Sequence, residues 1–401
     1  MLLIRALAVI TTLDRQDMLT GYDGKRAVQN NTGLGNYSRL LVSVMARRYG
    51  DDRFALYAPH PHTSPRLQPV LELPNVELHG PASPLWRMAP ALWRSAAMGR
   101  QMRADGADVI HGLSGELPLG VERLGIPSVV TVHDVIFRRF PALYKGIDRR
   151  IYDAKFRHAT RHATRVLAIS ECTARDVMKF YGVPREKISV VYQGCDAQFW
   201  RPVTPERIDK VRTRYGLTRP YIIAVGTIEE RKNQLLAVRG LRGLPAEYDL
   251  ALVGRQTPYA DTIRTYADNF NISHRVKFID NAPFADLPAL YAGALCSSYT
   301  SRFEGFGIPV IESLAAGTPV VVATGSCLEE AGGPAVPAVD PDDVSGWINE
   351  VNSMIVFPAT RDAIVRMGRE HITRFSDEAM AEGTMACYRR AIEDFKNGTK
   401  Y

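Results

Sequence analysis

Cysteine is scarce in this chain of 401 residues: there are five, scattered, odd in number and never spaced as Cys-x-x-Cys. That argues against a disulfide framework and a zinc site and points to a reducing cytosol. Cys172, Cys195, Cys296, Cys327 and Cys387 are all expected to be small buried hydrophobes. Long apolar runs are missing too. None approaches the roughly 18 residues a membrane helix needs. The apolar opening MLLIRALAVITTL has its basic Arg5 in mid-run and no small-residue cleavage site behind it, so no signal peptide is expected. Internal repeats and low-complexity tracts are absent.

What remains is ordinary globular material, with 46% apolar and 23% charged residues. The length exceeds what one core usually serves and favours two domains. A net charge of +7 favours anionic partners: nucleotide phosphates, an anionic membrane surface or nucleic acid.

Short, β-branched apolar runs recur along the chain and end in or just before Gly, Asp, Asn or Ser ahead of helix-like segments. They are ADVIHG (107–112), PSVVTVHD (127–134), RVLAIS (165–170), YIIAVG (221–226), YDLALVG (248–254), RVKFID (275–280) and TPVVVAT (318–324). Such strands are buried on both faces and alternate with helices, which predicts parallel sheets and an α/β class. MLTGYDGKRAVQNNTGLGNYSRLL, from Met18, reads as a complete first strand, loop and helix. Residues 1–17 are therefore expected to be a poorly ordered or peripheral extension, with a further first strand as the equal alternative. The first domain is expected over 18–195 and the second over 196–375, after a polar linker with a short helix. Residues 376–401 read as a terminal helix.

The densest chemistry lies in SRFEGFGIPVIESLAAGTPVVVAT (301–324). Glycines on both sides of Phe306 leave backbone amides unshielded ahead of a helix that starts near Pro309 and ends at Gly317 in a left-handed cap. Bare amides feeding a helix N-terminus bind anions and hydroxyls. Glu304 sits on the loop and Glu312 one turn into the helix, so two carboxylates can accept from hydroxyls in one crevice. Taken alone, a solvated Glu304 and a helix-stabilising Glu312 explain the pair equally well.

In YIIAVGTIEERKNQLLAV (221–238) a buried strand ends at Gly226, and Arg231 and Lys232 precede a helix from about Asn233. Fixed cations at the carboxyl end of a parallel strand suit a diphosphate, above all one that gains charge as it departs. In isolation, surface cations shared with Glu229 and Glu230 fit as well. Earlier in the chain, NNTGLGNYSRLL (30–41) sets Gly33 and Gly35 ahead of a helix, where the backbone can approach phosphate and acceptor closely. It lacks the third glycine and the acidic ribose ligand of a dinucleotide fingerprint. PSVVTVHDV (127–135) ends a strand in His133 and Asp134. Between Arg138 and Arg165 nine Lys/Arg face two acids, interleaved with Phe140, Tyr144, Tyr152 and Phe156. That pattern fits a solvated helical face or a seat on an anionic bilayer.

EGFGIPVIE followed by SLAAGTPVV resembles the Glu-x7-Glu signature of the family-4 glycosyltransferases, and TGLGNYSR resembles the N-terminal loop of their bacterial members. The resemblance runs from about Tyr22 to Ile392 on four motifs in order. It implies the GT-B fold, two Rossmann-like doubly wound parallel-sheet domains with the active site between them, and a terminal helix returning to the first. It implies a retaining, metal-independent transfer from a nucleotide-sugar donor to a glycan or lipid-linked acceptor, with no cofactor and no Asp-x-Asp run to hold a metal. Glu304, supported by the backbone of Gly305, Phe306 and Gly307, would touch the donor sugar, and Glu312 the ribose hydroxyls. Lys232 and Arg231 would clamp the diphosphate, with Thr227 where many relatives carry another arginine. His133 would lie beside the donor sugar, with Asp134 as its neighbour, and the base would lie around Gly254–Arg255 and Phe278–Asp280. RFSDEAM has Asp377 where relatives usually have Trp. The motifs are nearest those of mannosyltransferases of polysaccharide assembly, which favours GDP-mannose. Expected surroundings are the cytoplasm and a peripheral contact with the inner face of the cytoplasmic membrane.

A sugar-nucleotide epimerase or phosphorylase would share the fold, the latter needing a further phosphate or cofactor site that the sequence does not display. An oxidoreductase lacks its fingerprint, and no nucleic-acid-reading module occurs, so nucleic acid is not an expected partner.

Overall fold

The computed structural model describes residues 17–399 and 401, and the expected extension therefore falls, apart from Asp17, outside the described residues. Two compact units emerge. One comprises the described residues up to Ile169 together with Asp176–Val191 and Asp377–Tyr401; the other comprises Ser170–Arg175 and Tyr192–Ser376.

The first unit holds β1 (Leu19–Asp23), β2 (Arg53–Tyr57), β3 (Val76–His79), β4 (Val109–Gly112), β5 (Ser128–Val132), β6 (Arg165–Ala168) and β7 (Ile188–Val190). They form one sheet in the order β3-β2-β1-β4-β5-β6-β7, and every neighbouring pair is parallel. The second unit holds β8 (Tyr221–Val225), β9 (Asp249–Val253), β10 (Val276–Ile279), β11 (Cys296–Tyr299), β12 (Val320–Ala323) and β13 (Ala338–Val339). Its order is β10-β9-β8-β11-β12-β13, again parallel throughout. Apolar runs such as SVVTV and YIIAV become strands because helices cover both faces, and Val129, Val130, Ile222 and Ile223 lose all solvent contact.

In each sheet the strand order reverses once, between β1 and β4 and between β8 and β11. Crevices outside the carboxyl ends at such points are where open α/β sheets bind ligands. The sequence motifs feed these two places: Asp23 ends β1, Gly226 follows β8, and the 301–307 loop follows β11.

The helix Asp377–Lys396 belongs to the first unit. It buries Met380, Ala381, Thr384, Met385, Tyr388 and Ala391, an apolar stripe at helical spacing. Tyr388 carries the stripe into the sheet, where its hydroxyl lies 2.6 Å from His111 Nδ1 on β4 and donates to the Tyr22 hydroxyl at 3.2 Å. Thr131 of β5 lies 2.8 Å from His111 Nε2. Burial drives the His111 imidazole down to about 3, so it is neutral at physiological pH. Four of the cysteines are buried, but Cys195 is only half-buried, which corrects the uniform expectation. It sits in the connection ahead of the Ala197–Trp200 turn, outside any strand or helix.

Candidate active site

At the reversal of the second sheet, β8 ends and Gly226 turns with φ 137°, a conformation open to glycine. A Cβ on the neighbouring Gly254 would meet the Gly226 carbonyl oxygen at 2.2 Å, so the two strand-end turns touch backbone to backbone. The chain then makes one tight turn through Glu230–Lys232. Asn233, left-handed at φ 55°, starts the helix Gln234–Gly240. The Asn233 amide donates to the Pro341 carbonyl at 2.7 Å and to Thr300 at 3.2 Å, which fixes this turn against the loop beyond β11. Thr227 lends its carbonyl to the Gln234 side chain at 2.9 Å.

Arg231 and Lys232 converge on one carboxylate. Glu304 Oε1 lies 2.8 Å from Arg231 and 2.7 Å from Lys232 Nζ, and it accepts from the Ser301 hydroxyl at 2.6 Å. Arg231 also donates to the Phe303 carbonyl at 2.7 Å and pairs with Glu229 at 2.6 Å. Lys232 further donates to the Tyr299 hydroxyl. Burial works against a charged Glu304, but the two cations overrule it and hold the carboxyl down at about 2. Glu304, Arg231 and Lys232, three residues singled out by sequence, thus form one charged cluster. Tyr299 and Ser301, which complete it, were not singled out; their signal was their place at the end of a strand next to the EGFG loop.

Glu312 is another matter. It lies in the helix Ile308–Ala315, nearly sealed from solvent. The Tyr291 hydroxyl donates to its Oε2 at 3.3 Å. Burial pushes its carboxyl up to about 7, only partly relieved by that hydrogen bond. The loop before this helix is locked from three sides. The Ser170 and Thr173 hydroxyls donate to the Gly305 carbonyl at 2.7 and 3.3 Å. Phe306 packs against Tyr192 and Phe375. Gly307 adopts φ 106° as the residue before the helix, and a Cβ there would meet Leu328 at 2.7 Å. Gly317, at φ 83°, ends the helix.

The first unit presents its own cluster at the carboxyl ends of its strands. His133, just past β5, is half-buried, with Nε2 2.9 Å from the Leu113 carbonyl and its ring edge-on to Tyr37 at 4.4 Å. Burial pulls the imidazole down to about 4, so it is neutral. Asp134 accepts from the Ile136 amide at 3.0 Å, opening the next short helix. Gly33 and Gly35 were expected ahead of a helix; they lie within the first turn of Gly33–Arg48 instead. The reason is Asn30, whose side chain accepts from the Thr32 and Gly35 amides at 2.8 and 3.1 Å and starts the helix early. A Cβ on Gly35 would meet the Asn30 carbonyl oxygen at 1.8 Å, whereas Gly33 has open space. Gly35 therefore serves a close backbone contact.

Sequence reading also missed a buried ion cluster between β1 and β4. Arg94 grips Asp23 with two bonds, 2.5 and 3.0 Å, and Glu116 with a third at 2.6 Å. One Asp-x-Asp run does occur, against expectation: Asp340-Pro341-Asp342. Its Asp342 pairs with Arg302 at 2.5 Å on the surface.

The chain matches the family description "Glycosyltransferase Family 4" over residues 32–199 and "Glycosyl transferases group 1" over 207–371. It is 27% identical over 375 residues to the O-antigen chain mannosyltransferase B of Escherichia coli, covering 89% of this chain and 96% of the relative. It is 28% identical over 304 residues to the MMP alpha-(1->4)-mannosyltransferase of Mycolicibacterium hassiacum, 71% of each chain. A D-inositol 3-phosphate glycosyltransferase of Mycolicibacterium smegmatis is 28% identical over 302 residues, 72% of this chain and 68% of that one. Among solved structures, the Anabaena protein HepE in complex with UDP and glucose superposes with a TM-score of 0.71 at 20% identity, over 94% of this chain and all of the other. WaaG, a glycosyltransferase involved in lipopolysaccharide biosynthesis, superposes with a TM-score of 0.67 at 17% identity, over 92% of this chain and 98% of the other. Two parallel-sheet units, the EGFGIPVIE loop and helix, and matches spanning both units place this chain among the family-4 glycosyltransferases of the GT-B fold.

Proposed function

We propose that this glycosyltransferase moves mannose from GDP-mannose onto a glycan or lipid-linked acceptor of a bacterial surface polysaccharide, with retention of configuration and without a metal. The observation that carries the reading is the Glu304–Lys232–Arg231 cluster at the reversal of the second sheet. Arg231 and Lys232 are fixed cations for the donor diphosphate, and Glu304 accepts from a hydroxyl of the donor sugar. Glu312 accepts from the ribose hydroxyls. As the bond from the anomeric carbon to the diphosphate oxygen breaks, charge gathers on that oxygen, where prepositioned cations are worth most. The acceptor hydroxyl bonds to the anomeric carbon from the same face, and its proton passes to the departing phosphate. Neutral His133 can orient a hydroxyl without adding charge beside the developing oxocarbenium ion.

Two named mannosyltransferase relatives favour mannose. A UDP-sugar donor is the second reading, favoured by the UDP complex of HepE. Among the described residues no helix is long and apolar enough to cross a membrane. The acceptor side nevertheless fits an anionic bilayer surface. Leu85, Met88, Leu92, Ile147 and Ile151 of the first unit are exposed, and the last two stand among the Lys/Arg of 138–165.

Proton NMR of the protein with GDP-mannose, EDTA and a mannosyl glycolipid acceptor tests the reading. An α-linked mannoside is expected. A β-linked product, or turnover restored only by added divalent metal, would overturn it.

A further inference from the structure

Among the described residues Arg26 has no counter-charge, and it stands in a place built for ligands. It lies on the short helix Lys25–Gln29 that leaves the carboxyl end of β1, beside the strand reversal of the first sheet. The residue is half-buried, and its Nε is sealed from solvent with no hydrogen-bond partner. Among the described residues no carboxylate comes within ion-pair distance of it. Burying a guanidinium nitrogen unsatisfied costs free energy that a fold seldom leaves uncompensated.

The nearby acids cannot serve it. Arg94 holds both oxygens of Asp23 and one of Glu116, and Lys155 reaches the other Glu116 oxygen at 3.4 Å. Four cations (Lys25, Arg26, Arg94, Lys155) thus share two carboxylates. Lys25 registers the surplus: burial first, then Arg94, lowers its pKa. Arg26 is near enough to depress both Glu116 and His133 electrostatically. A cavity of about 250 Å³ adjoins the acids of the cluster; Asp23, Arg94, Glu116, Lys155 and His158 help to line it, while Lys25 and Arg26 flank the cluster outside that lining.

We infer that the first unit carries a phosphate-binding subsite centred on Arg26, with Lys25 assisting, next to His133. A phosphate would pair with the outer N–H groups of the half-buried guanidinium and restore charge balance. The proposed reaction offers two sources of such a group, the nucleotide donor and an acceptor whose lipid is joined through a phosphate; only the identity of the source rests on the proposed function.

The test is calorimetric titration of the wild-type chain with GDP and with UDP, then with inorganic pyrophosphate once nucleotide has saturated it, repeated on Arg26→Gln and Arg26→Lys. Circular dichroism and the unfolding midpoint verify that each variant is folded. Nucleotide affinity reduced about tenfold in Arg26→Gln and largely kept in Arg26→Lys supports the subsite and assigns the phosphate to the donor. Unchanged nucleotide binding, with pyrophosphate binding lost in Arg26→Gln and kept in Arg26→Lys, supports it and assigns the phosphate to the acceptor. Both ligands binding Arg26→Gln as they bind wild type would overturn the inference. So would an equal loss in both variants alongside a lowered unfolding midpoint, the mark of a structural residue. Should wild type ignore both nucleotides yet bind pyrophosphate through Arg26, the subsite stands and the donor reading fails.

Discussion

Replacing Glu312 by Gln removes one proton equilibrium and little else, because the amide keeps an oxygen for the Tyr291 hydroxyl. Burial lifts the wild-type carboxyl from 4.5 to about 7. At roughly 1.4 kcal/mol per pKa unit, that displacement is worth about 3 kcal/mol. The folded-state pKa is the raised one, so the contribution is fully present below pH 4.5 and lost as pH rises through about 7. Glu312→Gln should therefore match wild type near pH 4.5 and exceed it by about 3 kcal/mol at pH 8, or roughly 6 °C or more in unfolding midpoint. Function should move the other way. If Glu312 holds the ribose as proposed, the charged carboxylate accepts from two hydroxyls far better than the neutral acid, so wild-type nucleotide affinity should rise between pH 6 and 8 while that of Glu312→Gln stays low and flat. Scanning calorimetry at pH 4.5, 6 and 8, paired with nucleotide titration at 6 and 8, reads both. A stability difference independent of pH would refute the reasoning, because it would mean that Glu312 ionises normally inside its pocket.

Glu304→Ala leaves Arg231 and Lys232 without their shared carboxylate and should cost about 3 kcal/mol at pH 7. Since Glu304 sits at about 2, the wild-type advantage holds above pH 4.5 and fades as pH falls toward 2, which urea unfolding at pH 3 and 7 will show. Lys232→Met should lower kcat about a hundredfold or more, measured by sugar release from the donor, if it stabilises the departing diphosphate. Tyr388→Phe strips His111 Nδ1 of its partner, should cost about 1–3 kcal/mol, and should speed hydrogen exchange across Asp377–Lys396. Gly307→Ala forces a side chain into φ 106° and against Leu328; lost nucleotide binding in a chain that keeps its circular dichroism spectrum is the expected result.

The strands most legible in the sequence were the central ones, where burial on both faces selects unbroken β-branched runs. The strands that escaped sequence reading have reasons of their own. β3, at the sheet edge, buries only Val76 fully. β11 reads CSSY because its serines find partners far along the chain: Ser297 lies 2.7 Å from the Ser313 hydroxyl and Ser298 accepts from Trp347 Nε1 at 2.9 Å. The candidate site divides in the same way. Glu304, Glu312 and the Arg231–Lys232 pair stood out by spacing beside glycine loops, which are local signals. That Lys232 and Arg231 meet on Glu304 depends on β8 and β11 being neighbours, which no local pattern encodes. Arg26, Asp23, Arg94 and Glu116 come together across three separate segments and left no motif at all. Gly35 was conspicuous by residue type, but its close approach to the Asn30 backbone was not, because that neighbour is visible only once the helix has formed.

The cluster on Glu304 is proposed here as a nucleotide-sugar site that needs no metal. Thermal shift of the purified chain against GDP-, UDP-, dTDP- and ADP-linked sugars in EDTA, beside a Lys232→Ala/Glu304→Ala variant, tests it most directly. A shift from GDP-mannose, or from one other class of sugar nucleotide, that vanishes in the variant is the expected result. A folded wild-type sample that shifts with none of them, or a shift that the variant keeps, would contradict it.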